Sequence, residues 1–226
     1  MIEASTVIVT GVDRRGHTVL RRMHCEVPML VRVVDEHGPV LHLAMVNGCA
    51  GPLGGDRLHL RLELEDGAHV SVRSVAAAMA QPGARDDRSE LAVELVVGAG
   101  ASLDWRPQPT VSVMGSDHRS TMRLEACSSA TVSVFEGASL GRHGEPPGRF
   151  ALRERVLIDG VSVLDHETVF APGALCGPGA QGPARSMSTQ VLIGSCLPKP
   201  GAVDADGCLQ ATVHLSPICA LVMARS

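Results

Sequence analysis

The chain has 226 residues, enough to bury a sizeable core as one large β domain or two small ones. Val, Leu, Ala and Met supply most of its 45% apolar content, with three Phe, one Trp and no Tyr, so it lacks the π faces of a single-strand nucleic-acid platform. A net charge of −4, a single lysine (Lys199) and no basic block longer than Arg14-Arg15 or Arg21-Arg22 argue against binding a phosphate backbone. No run of 18 apolar residues and no basic-then-apolar N-terminal order occur, so neither a membrane span nor a signal peptide is expected, and the cytoplasm is the expected compartment. Seven scattered cysteines, odd in number and without a CxxC, read as reduced thiols.

In chain order, STVIVTGVD and HTVLRR predict a hairpin around Asp13 to Gly16. MLVRVVDEHGPVLHLAMV predicts another, turning at Glu36 to Pro39, with Pro28 at an edge or just before a strand. The run Asn47 to Asp56, NGCAGPLGGD, holds four Gly and one Pro and predicts a tight irregular loop.

A repeat then begins. LHLRLELEDGAHVSVRS, ELAVELVVGAGASLDWR and STMRLEACSSATVSVFE each join two alternating strands through Gly-Ala or Ser-Ala. Ala68, Ala101 and Ala130 occupy matching positions, 33 and 29 residues apart. Leu58, Leu60, Leu62 and Leu64 share one strand face, and His59, Arg61, Glu63 and Glu65 the other. The expected fold is mostly β, with few short helices: stacked β-hairpins sharing faces in an elongated, helicoidal or layered sheet domain spanning residues 1–226. A lone hairpin buries too little to offset its ordering entropy, which is why the copies are expected to stack.

Ser74 to Asp87 stands between helix and strand: its Ala run favours helix, but it leaves a strand directly and meets Pro82, so strand or irregular structure is preferred. Pro107 and Pro109 bar a central strand over Trp105 to Gly115, and a bulge or loop there is expected to expose Trp105, Arg106 and Gln108. FALRERVLIDGVSVLDHETVF is the clearest hairpin, turning at Asp159-Gly160. A Gly/Pro-rich loop follows at residues 171–186, then STQVLIG and GCLQATVHL as strands, with LSPICALVMARS open between strand and short helix.

Motifs with chemistry are sparse. NGCAGPLGGD has no Lys-Ser/Thr and no strand-to-helix GxGxxG context, and Gly-x-Ser-x-Gly is absent. His24, His143 and His166 each lie near a carboxylate but at no zinc-site spacing. In GRHGEPPGRF, Arg142 and Glu145 are placed to pair across a tight turn. No nucleophile–base or paired-acid arrangement emerges, so an enzyme is not expected.

Three segments carry a resemblance to a known family. Gly54-Gly55-Asp56, then Trp105 before Pro107-Gln108-Pro109, then Gly141-Arg142, Gly144-Glu145 and Phe150 follow one another around the repeated strands. In order and spacing, over about Asn47 to Asp165, they resemble the urease accessory protein family UreD, also called UreH. Ala76 to Gln81 departs from the Thr-rich segment usual there, and the aromatic at Trp105 is more often Tyr. The resemblance implies a non-enzymatic scaffold that binds the apo-urease structural subunits and a UreF-like partner and recruits the nickel-carrying UreG-like GTPase. It implies no permanent cofactor, only transient Ni²⁺, for which Asp56, His143 and Glu145 are the candidate contacts beside the motifs. Gly54, Gly55, Trp105, Pro107, Gln108, Pro109, Gly141, Arg142, Gly144 and Phe150 are the candidate docking or structural residues. Neither nucleic acid nor membrane is an expected partner. The alternative is a structural or peptide- or glycan-binding β-repeat protein with no part in metallation.

Overall fold

A computed structural model describes residues 1–85, 87–171, 185–194, 197–205 and 208–225. The Gly/Pro-rich loop expected at 171–186 falls almost wholly outside them. In chain order the strands begin with β1 (Glu3–Val12), β2 (Thr18–Cys25), β3 (Met29–Asp35), β4 (Val40–Asn47), β5 (Arg57–Leu64) and β6 (His69–Ser74). They continue with β7 (Met79–Ala80), β8 (Ser89–Val97), β9 (Ser102–Arg106), β10 (Thr110–Ser112), β11 (Asp117–Ala126) and β12 (Thr131–Leu140). The last are β13 (Arg149–Ile158), β14 (Val161–Phe170), β15 (Ser186–Ile193), β16 (Gly201–Ala205), β17 (Cys208–Ser216) and β18 (Cys219–Arg225). No helix occurs among the described residues, and both ambiguous segments resolve against one.

Two sheets face each other. One runs β14-β13-β11-β8-β5-β1-β2, the other β16-β17-β18-β15-β12-β9-β6-β4-β3. The centre of each is parallel. In the first, β5 pairs β8 with Leu58 beside Leu91, and β8 pairs β11 with Leu91 beside Ser120. In the second, β6 pairs β9 with His69 beside Ser102, and β9 pairs β12 with Ser102 beside Thr131. These offsets are the 33- and 29-residue spacings of the repeat, so each copy is one coil of a β-solenoid.

The mostly-β, stacked and layered architecture agrees with expectation, but the pairing inside each repeat does not. β5 and β6 belong to different sheets, as do β8 and β9, and β11 and β12. The repeats are arches rather than hairpins. Alternation places apolar residues of both arms inward, where Leu60, Leu62, Val70 and Val72 are buried in one core. In a hairpin those residues would share a sheet face; in an arch they meet across the gap between sheets. Ala68, Ala101 and Ala130 turn the corner, each almost fully buried, and the coils are tied there by Ser102 N–H donating to the Ala68 carbonyl and Thr131 N–H to that of Ala101, at 2.9 and 3.0 Å. Each fully buried Leu or Val contributes about 1.5–3 kcal/mol, so the stack is stabilised by shared faces rather than by any single coil.

True hairpins are confined to the margins. β1 and β2 pair around Asp13 to Gly16, β3 and β4 around Glu36 to Pro39, and β13 and β14 around Asp159-Gly160, as expected from the turn residues. Pro28 lies immediately before the edge strand β3.

Candidate functional site

The strands of the second sheet return to the first through irregular segments, and these gather at one end of the solenoid. Gly54 N–H donates to Gln81 O at 3.0 Å, and Gln81 N–H to Pro52 O at 2.9 Å. Val111 and Val113 donate to Ala78 and Ala80, while Gly141 and Gly148 both donate to Ser112 O. Loop 47–56 thus lies against 78–83, that segment against 110–113, and 110–113 against 141–148. All three sequence motifs are stacked in one region.

Close approach explains the glycines. A Cβ on Gly54 would sit 2.5 Å from both Gly83 N and Asp87 O. At Gly141, φ is +79° and a Cβ would sit 2.8 Å from Glu145 O. Asp56 is buried at the foot of the first loop, where one carboxylate oxygen accepts Ile2 N–H at 2.7 Å and the other accepts Leu53 N–H at 2.9 Å. Its carboxylate closes the Gly-Gly-Asp turn against the first strand. Glu145 Oε1 accepts from the backbone N and Nε of Arg142 at 2.9 and 3.0 Å, and these bonds hold its carboxyl down at about 2. The expected Arg142–Glu145 pair is therefore present. Arg185 reinforces it by donating to Glu145 O at 2.7 Å. His143 is exposed at the loop tip.

Trp105 corrects an expectation. Arg106 and Gln108 are exposed, but Trp105 is only 2% exposed. Pro107 ends the strand one residue too late to release it, because Leu103 and Trp105 occupy the inward phase of β9. The indole Nε1 donates to Glu136 Oε1 at 2.9 Å. Phe150 is likewise a core residue, packed with Leu140, Leu152 and Phe170 and set 5.7 Å from the His118 ring.

Trp105 marks the inner wall of a cavity of about 100 Å³ between the sheets. Leu60 and Val93 line it on one side and Met29 and Val31 on the other, with His118, Ser120 and Glu136 among its polar groups. Cys49, Ala76 and Gln108, from the irregular segments, also line it.

Glu136 has a counterpart on the opposite sheet. Thr189, paired with Glu136 across β12 and β15, donates its hydroxyl to Glu154 Oε1 at 2.7 Å. Glu154 is 1% exposed, and its Oε2 has no hydrogen-bond partner among the described residues. Burial pushes both carboxyls up to about 7, and the charge of Glu154 adds to the shift at Glu136. His118, bonded through Nδ1 to Ser89 Oγ at 2.9 Å, is pushed down by burial to about 4 and is neutral at pH 7. Two carboxyls pushed up toward neutrality on opposite sheets can exchange protons for a cation.

The family model for the UreD urease accessory protein matches residues 4–225. The chain belongs to the UreD family. Among curated UreD relatives, it is 36% identical to the urease accessory protein UreD of Streptomyces coelicolor over 80% of this chain and 69% of that protein. It is 39% identical to UreD 3 of Streptomyces griseus over 76% of this chain and 67% of that one, and 34% identical to UreD 2 of Saccharopolyspora erythraea over 80% and 62%. The chain thus spans about two thirds of the length of these UreD proteins. Of the candidate metal contacts named for the UreD resemblance, Asp56, His143 and Glu145 form no cluster of three ligating side chains among the described residues.

Glu136, Glu154 and His118 were not singled out from the sequence, although a signal for them exists. In TVSVFEG, Glu136 falls in phase with the buried Val132 and Val134; in RFALRERVLI, Glu154 falls in phase with Phe150, Leu152 and Val156. A carboxylate on the apolar phase of a strand is costly unless it has a purpose.

Proposed function

We propose that this UreD-family protein is a non-enzymatic urease maturation factor of the cytoplasm. Its irregular end docks the apo-urease subunits and a UreF-like partner, through which a nickel-carrying UreG-like GTPase joins the complex. Nickel is cargo here, not a resident cofactor. The observation that carries this reading is the inter-sheet cavity whose polar wall includes Glu136, opposite Glu154, and which is also lined by the family-like segments. Carboxylate oxygens suit a divalent cation, and burial that pushes the pair up to about 7 makes protons compete with the cation, so it is held weakly enough to release. His143 and Glu145 are proposed as outer contacts on the docking end. Asp56, with both oxygens already accepting main-chain N–H groups, is proposed to act by holding the loop.

The test is replacement of this gene, in a urease-positive host, by a Glu136→Gln, Glu154→Gln double variant. Urease is then purified and its nickel measured by elemental analysis, while co-purification follows complex formation. The expected result is intact complex with depleted nickel. Full nickel loading with intact complex would overturn the carboxylate route, and full loading in a strain lacking the gene would overturn the maturation role itself.

A further inference from the structure

Glu136 stands at a break in the second sheet. The parallel ladder between β9 and β12 stops at Trp105 beside Val134 and resumes only with Thr110 of β10 beside Ala138. Between them the chain runs through Pro107, Gln108 and Pro109. The prolines have no N–H to offer, and Gln108 gives its own to Ser74 Oγ at 2.7 Å. On the other side Thr189 is the register partner of Glu136, but its hydroxyl goes to Glu154. Among the described residues, the Trp105 indole is the only group that hydrogen-bonds the Glu136 carboxyl, through Oε1 at 2.9 Å. Oε2 carries no such bond, on a side chain that lines the cavity.

A buried indole N–H needs an acceptor, but a main-chain carbonyl, a hydroxyl or a glutamine serves without the desolvation cost of a carboxylate. Satisfying the indole therefore accounts for the bond and not for the choice of glutamate. The reverse dependence accounts for both. The last torsion of a glutamate is broad, so its carboxylate has no fixed direction of its own. The indole is fixed, being 2% exposed and on the inward phase of β9. A bond from this ring to one oxygen sets where the other lies. Groups that hold a metal-contacting side chain in this way contribute about 10–100-fold to metal affinity.

We propose that Trp105 is a positioning residue for the passing divalent cation: its indole N–H pins Oε1 of Glu136 and leaves Oε2 turned to the cavity. This rests on the carboxylate route for nickel and adds to it the group that makes Glu136 a one-oxygen contact. A single oxygen suits cargo, because affinity for a divalent cation falls with the number of charged ligands.

Two measurements test the assignment. Trp105 is the one tryptophan of the chain, so indole fluorescence of the purified full chain reports this site alone. Titration with nickel chloride should quench it saturably, since paramagnetic Ni²⁺ quenches an indole that it approaches. Glu136→Gln keeps an acceptor for the ring but loses the charge, and should raise the apparent Kd at least about tenfold. Glu136→Asp keeps the charge but draws it back from the ring by one methylene, and should raise Kd about tenfold as well. In a urease-positive host, Trp105→Phe should lower the nickel content of the purified urease while the complex stays intact. It should lower it no further in the Glu136→Gln background. Circular dichroism melting shows whether Trp105→Phe folds; if it does not, the Glu136→Asp titration decides. Absent quenching in wild type, or unchanged quenching in Glu136→Gln, would overturn the carboxylate route and the positioning role with it. If Glu136→Gln weakens quenching but Glu136→Asp matches wild type, or folded Trp105→Phe loads urease fully, the route stands and the positioning role is overturned. A Trp105→Phe loss that adds in full to that of Glu136→Gln would mark a structural effect and overturn it too.

Discussion

Glu154→Gln offers the sharpest test of the buried carboxyl pair, because the wild-type chain supplies the reference. Burial raises the Glu154 carboxyl from an ordinary value of 4.5 to about 7, so between those values the folded protein holds a proton that the unfolded chain has lost. Stability from this group is fully present below about pH 4.5 and is lost as pH rises through about 7. Crossing the whole window corresponds to roughly 3 kcal/mol, and going from about pH 5 to about pH 8 to roughly 2–3 kcal/mol. Glutamine does not titrate and keeps an acceptor for the Thr189 hydroxyl. The variant should therefore gain on wild type by that amount over the interval, whatever its offset at about pH 5. Loss of the neighbouring charge also lets Glu136 ionise more easily, which adds in the same direction. His118 works oppositely, since burial lowers it to about 4 and its contribution is lost as pH falls below its ordinary 6.5. It is common to both proteins and cancels in the difference. Urea unfolding followed by circular dichroism at pH steps of about one unit gives the two curves. Parallel curves would refute a protonated, buried Glu154.

Other positions test the docking end. Gly54→Ala forces a Cβ against the backbone of Gly83 and Asp87 and should cost about 1–3 kcal/mol in urea unfolding, whereas an equivalent change at the open Gly144 concerns only its φ of +79°. Asp56→Ala removes the acceptor of two main-chain N–H groups and should cost about 3 kcal/mol, with urease activation falling in step with stability; activation lost in a fully stable variant would instead point to direct contact. Arg142→Ala breaks an exposed pair and should shift stability by less than about 1 kcal/mol, so loss of co-purification with the urease subunits or the UreF-like partner would assign it to docking. Unchanged melting and unchanged co-purification would leave Arg142 without either role.

Much of the architecture was legible in the sequence, and the part that was not has a physical reason. Alternation reports which side chains point inward, and Leu58 to Leu64, Val93 to Val97 and Val132 to Val134 are inward as read. It does not report whether the next strand lies beside the first or across from it, since both arrangements bury the same phase. The information sat in the turns. At Asp159-Gly160 the turn residues are polar, and β13 and β14 pair as a hairpin. At Ala68, Ala101 and Ala130 the turn holds a small apolar residue, which is the mark of a corner closing over a core. The repeat spacing carried the rest, for 33 and 29 residues are the registers of the parallel ladders.

The candidate site was legible only where irregular backbone announces itself. Gly54 to Asp56, Pro107 to Pro109 and Gly141 to Glu145 interrupt strands, and that draws attention to them; their stacking at one end follows from the solenoid register and needed the fold. Glu136 and Glu154 interrupt nothing. Each replaces one apolar residue in an otherwise regular strand, and their meeting depends on β12 and β13 lying in opposite sheets, which the hairpin reading of the repeats did not provide. An inward carboxylate on one strand is an oddity; two from opposite sheets, Glu136 held by the Trp105 indole and Glu154 by the Thr189 hydroxyl, are an arrangement.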